Sequence, residues 1–373
     1  MGGHGAAAQF QTLETLMKRI GVLTSGGDCP GLNAVLRSVV RTANAYGCDV
    51  IGFKDGFEGL LELDRHIILD RRNTMGIMAR GGTILGTTNR GHFVAKIGGG
   101  DRNTIPAEII ARARRTLEAL SIDGLICIGG DGSLTTALQM YEAGIPVVGV
   151  PKTIDNDLEA TEMTFGFDSA ITCVADALDR LHTTAESHKR VMVTEVMGRH
   201  AGWIALYGGL AGGADIILIP EIPFDLNKVA EAIQQRDADG CLSTLVVVAE
   251  GARPIDGKQM VQQMGTGEYK LGGIGEFVAR EIARRTQKET RTCVLGHLQR
   301  GGAPTTLDRI LGTTFGVKAV ELVLTKQFGQ MVSYQKSEVS SVPIAEAVHQ
   351  LHLVPVNGSM VRTARAIGIS FGD

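Results

Sequence analysis

Residues 20–43, IGVLTSGGDCPGLNAVLRSVVRTA, decide the fold. A continuous apolar run ends in a glycine-rich turn, and a second pattern follows at once. Leu32, Val35, Leu36, Val39, Val40 and Ala43 recur at 3-1-3-1-3, one face of a helix. Strand, turn, helix is the reading, with the strand apolar throughout as strands covered on both sheet faces are. Working outward, the strand pattern repeats in DVIGF (49–53), GLICIGGDGS (124–133), PVVGVPKTIDND (146–157), VMVTEVMG (191–198), DIILIPE (215–221), TLVVVAEG (244–251) and TCVLGH (292–297). Helical spacing fills residues 107–120 and 169–182 between them. The alternation predicts an α/β fold with parallel sheets, right-handed crossovers and ligands at the carboxyl ends of the strands.

The 373 residues suit two domains. Lys+Arg 37 against Asp+Glu 40 leaves a net charge of −3, so no broad basic surface exists for nucleic acid or an anionic membrane. Hydrophobic residues at 44% and charged ones at 21% exclude wholesale disorder. The 49 glycines, about 13% of the chain, are nearly twice the usual share and point to backbone that approaches a ligand closely. Six cysteines stand singly, which predicts a reducing, cytoplasmic setting rather than disulfides or a cysteine zinc site. No apolar run reaches the roughly 18 residues of a membrane span. The first 17 residues lack the apolar core of a signal peptide and read as an extension.

Chemistry-bearing residues gather at strand ends. Gly26 and Gly27 in TSGGDCPGLN (24–33) either open the backbone to a phosphate or form an ordinary tight turn. The loop is neither GxGxxG nor GxxxxGK[ST]. Asp131, between Gly130 and Gly132 and followed by Ser133, either reaches a divalent cation or caps the next helix. Lys152, Thr153, Asp155 and Asp157 in PKTIDND supply a cation, a hydroxyl and two carboxylates in one turn, or else a polar surface turn. Arg190, Arg199, Arg291 and Arg300 cluster about the later strand ends, where guanidinium forks hold phosphate. Glu250 can accept a sugar hydroxyl or cap its strand. His349 and His352 have helical spacing without acids nearby, so they make no zinc site, and Trp203 reads as packing.

Taken together, TSGGDCPGLN, GGDGS, PKTIDND, VMGRHAG and GHLQRGG, in this order from about residue 18 to at least 325, resemble the phosphofructokinase family. The resemblance implies two Rossmann-like three-layer αβα domains with mainly parallel sheets. The expected division is 1–17 as extension, 18–165 plus 300–348 as nucleotide-binding domain, and 166–299 plus 349–373 as sugar-phosphate-binding domain. It implies γ-phosphoryl transfer from ATP-Mg²⁺ to the 1-hydroxyl of fructose 6-phosphate. Asp155 then matches the general base, with Thr153 and Arg199 beside it, and Asp131 the Mg²⁺ residue. Gly27, Arg90, Gly130, Gly132, Ser133 and Lys152 match the nucleotide side. Thr153, Met197, Gly198, Arg199 and Glu250 match sugar contacts. His297, Arg300, Arg190 and Arg291 match the cradle of the 6-phosphate, the last two coming from a neighbouring subunit in a homotetramer. Residues 252–275 are expected to form a mobile connection near the sugar site.

The family pattern is departed from in places. ATP-dependent bacterial members usually carry Gly where Lys152 stands, whereas pyrophosphate-dependent ones carry Lys there and Asp at position 132. An Asp at 132 would crowd and repel a nucleotide's α-phosphate, so Gly132 favours ATP, with pyrophosphate the runner-up. In LGTTNRG (85–91), Asn89 and Arg90 stand where many ATP-dependent members have an Arg-Phe pair, and the combination of Lys152 with Asn89 resembles a branch that uses either donor. Arg37, Arg41 and Arg71 match effector-site arginines, but His182 stands where another would, so the resemblance gives allosteric control no support. A non-catalytic homologue, an NAD kinase sharing only the GGDG element, and an oxidoreductase lacking GxGxxG rank lower.

Overall fold

The computed structural model describes residues 18–88, 90–93, 104–257, 259–263 and 269–373. The extension 1–17 and Asn89 lie outside them. The chain divides into two compact units: one reaches to Asp28 and adds Leu32–Pro151 and Ile310–Ala347, the other joins Cys29–Gly31, Lys152–Arg309 and Val348–Asp373. The changeovers thus fall after Pro151 and Arg309, where the sequence reading put seams at 165 and 299. The segment after Pro151 goes with the second unit because Lys152 bridges to Phe165. Residues up to Arg309 do so because the Asp308 carboxylate accepts from Gly166 N (2.8 Å), Ser169 N (2.8 Å) and Ser169 Oγ (2.6 Å).

The first unit holds β1 (Arg19–Thr24), β2 (Asp49–Phe53), β3 (His66–Leu69), β4 (Gly124–Gly129) and β5 (Val147–Pro151). The second holds β6 (Val191–Val196), β7 (Ile216–Leu218), β8 (Thr244–Ala249), β9 (Val261–Gln263), β10 (Tyr269–Leu271) and β11 (Thr290–Val294), and the chain returns to the first for β12 (Gln330–Gln335) and β13 (Glu338–Pro343).

In the first unit the order is β13-β12-β5-β4-β1-β2-β3. The inner pairs are parallel; the outermost strands, β3 and β13, pair antiparallel. From β1 the chain goes one way to β2 and the other way to β4, so the strand order reverses between β1 and β4. Their carboxyl ends are the switch point where open α/β sheets bind ligands. The helix Leu32–Ala45 buries all six residues of the expected apolar face, each worth about 1–3 kcal/mol of transfer free energy depending on size.

The second unit's parallel sheet runs β11-β6-β8-β7. Val191, Val193, Val246 and Val248 pack with Ile274, Val278 and Ile282 of the helix Ile274–Thr286. β11 is the edge, with Val294 58% exposed, and not the doubly covered strand its apolar run predicts. Within 252–275, expected as a mere connection, β9 and β10 form an antiparallel hairpin. Among the described residues no helix is long and apolar enough to cross a membrane.

Candidate active-site loops

On the first unit, Ser25 N donates to Ile128 O at 2.9 Å and draws the turn after β1 onto the end of β4. Gly26 is left-handed at φ 80°, and its carbonyl accepts from Thr87 Oγ1 at 2.6 Å. Thr24 Oγ1 donates to Gly86 O at 2.9 Å. Asn33 donates to Arg80 O and accepts from Ile84 N, each at 2.9 Å. These bonds fasten residues 80–88 along the turn and set the exposed Arg90 beside it, its N–H on Thr88 Oγ1 at 3.1 Å.

At the end of β4, a Cβ on Gly129 would lie 2.2 Å from Ser133 Cβ, so only glycine fits. The helix Asp131–Glu142 starts directly after Gly130. Its first-turn N–H groups, on Asp131, Gly132 and Ser133, have no carbonyl partner within the helix and make the positive end of its dipole. Those three residues and Gly27 are all partly exposed. The arrangement suits an anion. Among the described residues no three His, Cys, Asp or Glu side chains cluster to hold a metal unaided. A hard divalent ion at Asp131 would therefore take its other oxygens from phosphate and water, as Mg²⁺ does.

On the second unit, the Thr153 hydroxyl organises the turn after β5. It accepts from Asp155 N and donates to Asp157 Oδ1, both at 3.1 Å. Asn156 is left-handed at φ 51° and is held by Thr164, whose N–H donates to its Oδ1 at 2.9 Å. Lys152 is buried. Asp155 Oδ1 is buried with no hydrogen-bond partner. Burial foremost, then the Asp157 and Glu250 charges, push the Asp155 carboxyl up; Arg300 and Lys152 oppose them, and the outcome is about 7. Burial also raises Asp157, against the Thr153 hydroxyl bond and the charges of His200 and Lys152. His200 is lowered by burial and by Arg199, with Asp157 opposing. A carboxyl poised near neutrality, with cations about it, is the profile of a general base.

The other strand ends converge through backbone contacts. Glu250 N donates to Val196 O (2.8 Å) and Gly251 N to Gly198 O (3.1 Å). A Cβ on Gly251 would sit 2.0 Å from Arg199 O. Buried Gln299 accepts from Met197 N at 3.3 Å and donates to Gly296 O at 3.1 Å, joining MGR to HLQRGG. Arg199 and His297 are exposed, Arg300 half-buried. Arg190 and Arg291 meet on one carboxylate, that of Glu289. Thus Lys152, Thr153, Asp155, Glu250 and Arg300 come together, as do Met197, Gly198 and Arg199, while Arg190 and Arg291 form a separate group at β11. Sequence reasoning missed the linking roles of Gln299 and Glu289. Gln299 was at least inside a motif, whereas Glu289 carried no signal.

The phosphofructokinase family model matches residues 19–323. The ATP-dependent 6-phosphofructokinase of Chloroflexus aggregans is 51% identical over 359 residues, 95% of this chain and 98% of that one. The ATP-dependent 6-phosphofructokinase 1 of a Synechocystis strain is 50% identical over 361 residues, 96% of this chain and 99% of its own. Among solved structures, Saccharomyces cerevisiae phosphofructokinase superposes with TM-score 0.77 at 30% identity over 94% of this chain, which spans only 46% of the yeast chain. A pyrophosphate-dependent phosphofructokinase from Marinobacter aquaeolei gives 0.78 at 23% identity over 95% of this chain and 92% of its own, a likeness of fold. With family match, near full-length relatives and strand-end loops in agreement, the chain belongs to the phosphofructokinase family.

Proposed function

We propose that the protein transfers the γ-phosphoryl group of ATP to the 1-hydroxyl of fructose 6-phosphate, forming fructose 1,6-bisphosphate in the cytoplasm. The observation that carries this is Asp155: a buried, partnerless carboxylate oxygen, on a turn fixed by Thr153, in a carboxyl raised to about 7. Such a group accepts the hydroxyl proton as the oxygen attacks phosphorus. In this reading the first unit is the nucleotide side. Gly27, Gly130, Gly132 and Ser133 offer backbone and hydroxyl donors to the phosphates, Arg90 adds charge, and Asp131 holds Mg²⁺, which supplies charge neutralisation on the phosphates when bound. The second unit is the sugar side. Thr153, Met197, Gly198 and Glu250 contact the sugar, Arg199 and Lys152 face the transferred phosphate, and His297 and Arg300 hold the 6-phosphate.

Arg190 and Arg291, at the amino ends of β6 and of the edge strand β11, serve the 6-phosphate of a neighbouring subunit in a homotetramer. ATP is favoured as donor by the names of the half-identical relatives and by the missing side chain at Gly132. The test is fructose 1,6-bisphosphate formation with Mg²⁺ and either ATP or pyrophosphate at matched concentration. Activity with ATP is expected. Activity with pyrophosphate alone overturns the donor, and silence with both overturns the reaction in favour of a non-catalytic homologue.

A further inference from the structure

Residues 350–354 lie outside any helix and cross the turn that carries Asp155. Leu351 bridges antiparallel to Leu158. His352 N donates to Asp157 O at 3.0 Å, and its Nδ1 lies 3.1 Å from Asn156 O. A carbonyl only accepts, so Nδ1 carries the proton there. The next contacts fix His352 itself. Its ring stacks on Trp203, with centroids 4.8 Å apart and planes 30° apart, and its carbonyl accepts from Trp203 Nε1 at 2.8 Å. One residue pair on, Glu221 accepts from Val354 N (2.9 Å) and Gly202 N (3.0 Å). The imidazole is therefore held between the indole that opens the helix Trp203–Ala211 and the Asn156 carbonyl of the Asp155 turn, while the His352 main-chain N–H holds the next carbonyl, that of Asp157.

We infer that His352 is a positioning residue for phosphoryl transfer, its Nδ1–H clamping the Asn156 carbonyl so that the neighbouring Asp155 carboxylate keeps one orientation. This rests on the reading of Asp155 as the base. Asn156 sits in left-handed backbone, at φ 51°, a conformation that asparagine adopts more readily than other residues with a Cβ and that its neighbours hold in place here. A carbonyl freed there lets the turn relax and swings the adjacent carboxylate. Misplacement of that kind by about 1 Å lowers the chemical step more than it lowers binding.

Two substitutions separate the donor from the stack. His352→Phe keeps an aromatic ring against Trp203 and loses Nδ1–H, while His352→Asn loses the ring and places an amide N–H close to the Nδ1 position. Steady-state kinetics with ATP, Mg²⁺ and fructose 6-phosphate, with hydrogen exchange of peptides covering 152–165, are measured on wild type and both variants. His352→Phe is expected to lower kcat about tenfold with both KM values within about twofold, and to speed exchange of the turn, with His352→Asn recovering most of both. Wild-type kcat in His352→Phe, or equal losses in the two variants, overturns the inference. A wild-type chain without turnover counts against the reading of Asp155. Exchange then decides the clamp alone: unchanged protection of 152–165 in His352→Phe sinks it.

Discussion

Arg190 Nε lies 2.8 Å from Glu289 Oε2, and the other oxygen of that carboxylate is engaged by Arg291. Two arginines at the amino ends of the neighbouring parallel strands β6 and β11 are thereby held as one dication around one anion. The Arg190 bond leads the causes that keep the Glu289 carboxyl below its ordinary value.

If the two arginines cradle a phosphate, Glu289 competes with it for guanidinium donors. Glu289→Gln keeps an acceptor and removes the charge. KM for fructose 6-phosphate is expected to fall about two- to threefold at low salt, the gain shrinking as ionic strength rises. A higher KM would mean that the carboxylate orients the pair rather than competing with the substrate.

Asp155→Asn is expected to lower kcat about 10²- to 10⁴-fold while fructose 6-phosphate and ATP still bind, as seen by calorimetry. In the wild type, kcat/KM should fall on the acid side with a midpoint near the about 7 of this carboxyl. Asp157→Asn removes a charge that raises it, so the midpoint should move to lower pH.

The same group bears on stability. A carboxyl raised in the folded state contributes stability that is complete below the ordinary carboxylate value and is lost as pH rises through about 7. Asp155→Asn should therefore melt higher than wild type at pH 8, by a margin on the order of 2 kcal/mol, and match it at pH 4. Equal melting at both values would mean that the carboxylate is compensated where it lies.

Gly251→Ala puts a methyl group 2.0 Å from Arg199 O. The MGR turn has to move, at a cost of about 1–3 kcal/mol. Turnover should fall about tenfold or more with Arg199 displaced. Wild-type kinetics in this variant would detach the MGR turn from the chemistry.

Gly132 has helical backbone and not the left-handed kind, so Gly132→Asp is tolerated by the main chain. Its effect is electrostatic and steric at the helix N-terminus. ATP turnover is expected to fall at least about 10²-fold, with pyrophosphate affected less. An equal loss with both donors would place the discrimination elsewhere.

How much of this was readable in advance depends on whether the information is local. β1, β4, β6 and β8 are unbroken apolar runs because both faces are covered, and β2 was read to its residue. β12 and β13, QMVSYQ and EVSSVP, escaped because an outlying hairpin keeps polar side chains. β11 was found but misjudged, since TRTCV carries no mark of lying at an edge. In the site, Asp155 and its cations were marked by motifs. Their supports were not: Gln299 meets Met197 across 102 positions, Asp308 meets Gly166 across 142, and His352 meets Asn156 across 196. Spacing along a chain cannot report a partner at that distance.

The last of those separations also sets an order of events during synthesis. The turn of residues 152–157 leaves the ribosome long before the segment that braces it. At about 5–20 residues per second, the roughly 200 positions between Asn156 and His352 take some 10–40 s to make. For the later part of that interval, once β8 has been made, β6 and β8 can pair while the turn of residues 152–157 still lacks its brace. If His352 positions the base as inferred, a nascent chain of this design holds a folded scaffold before its turn at 152–157 takes its final set.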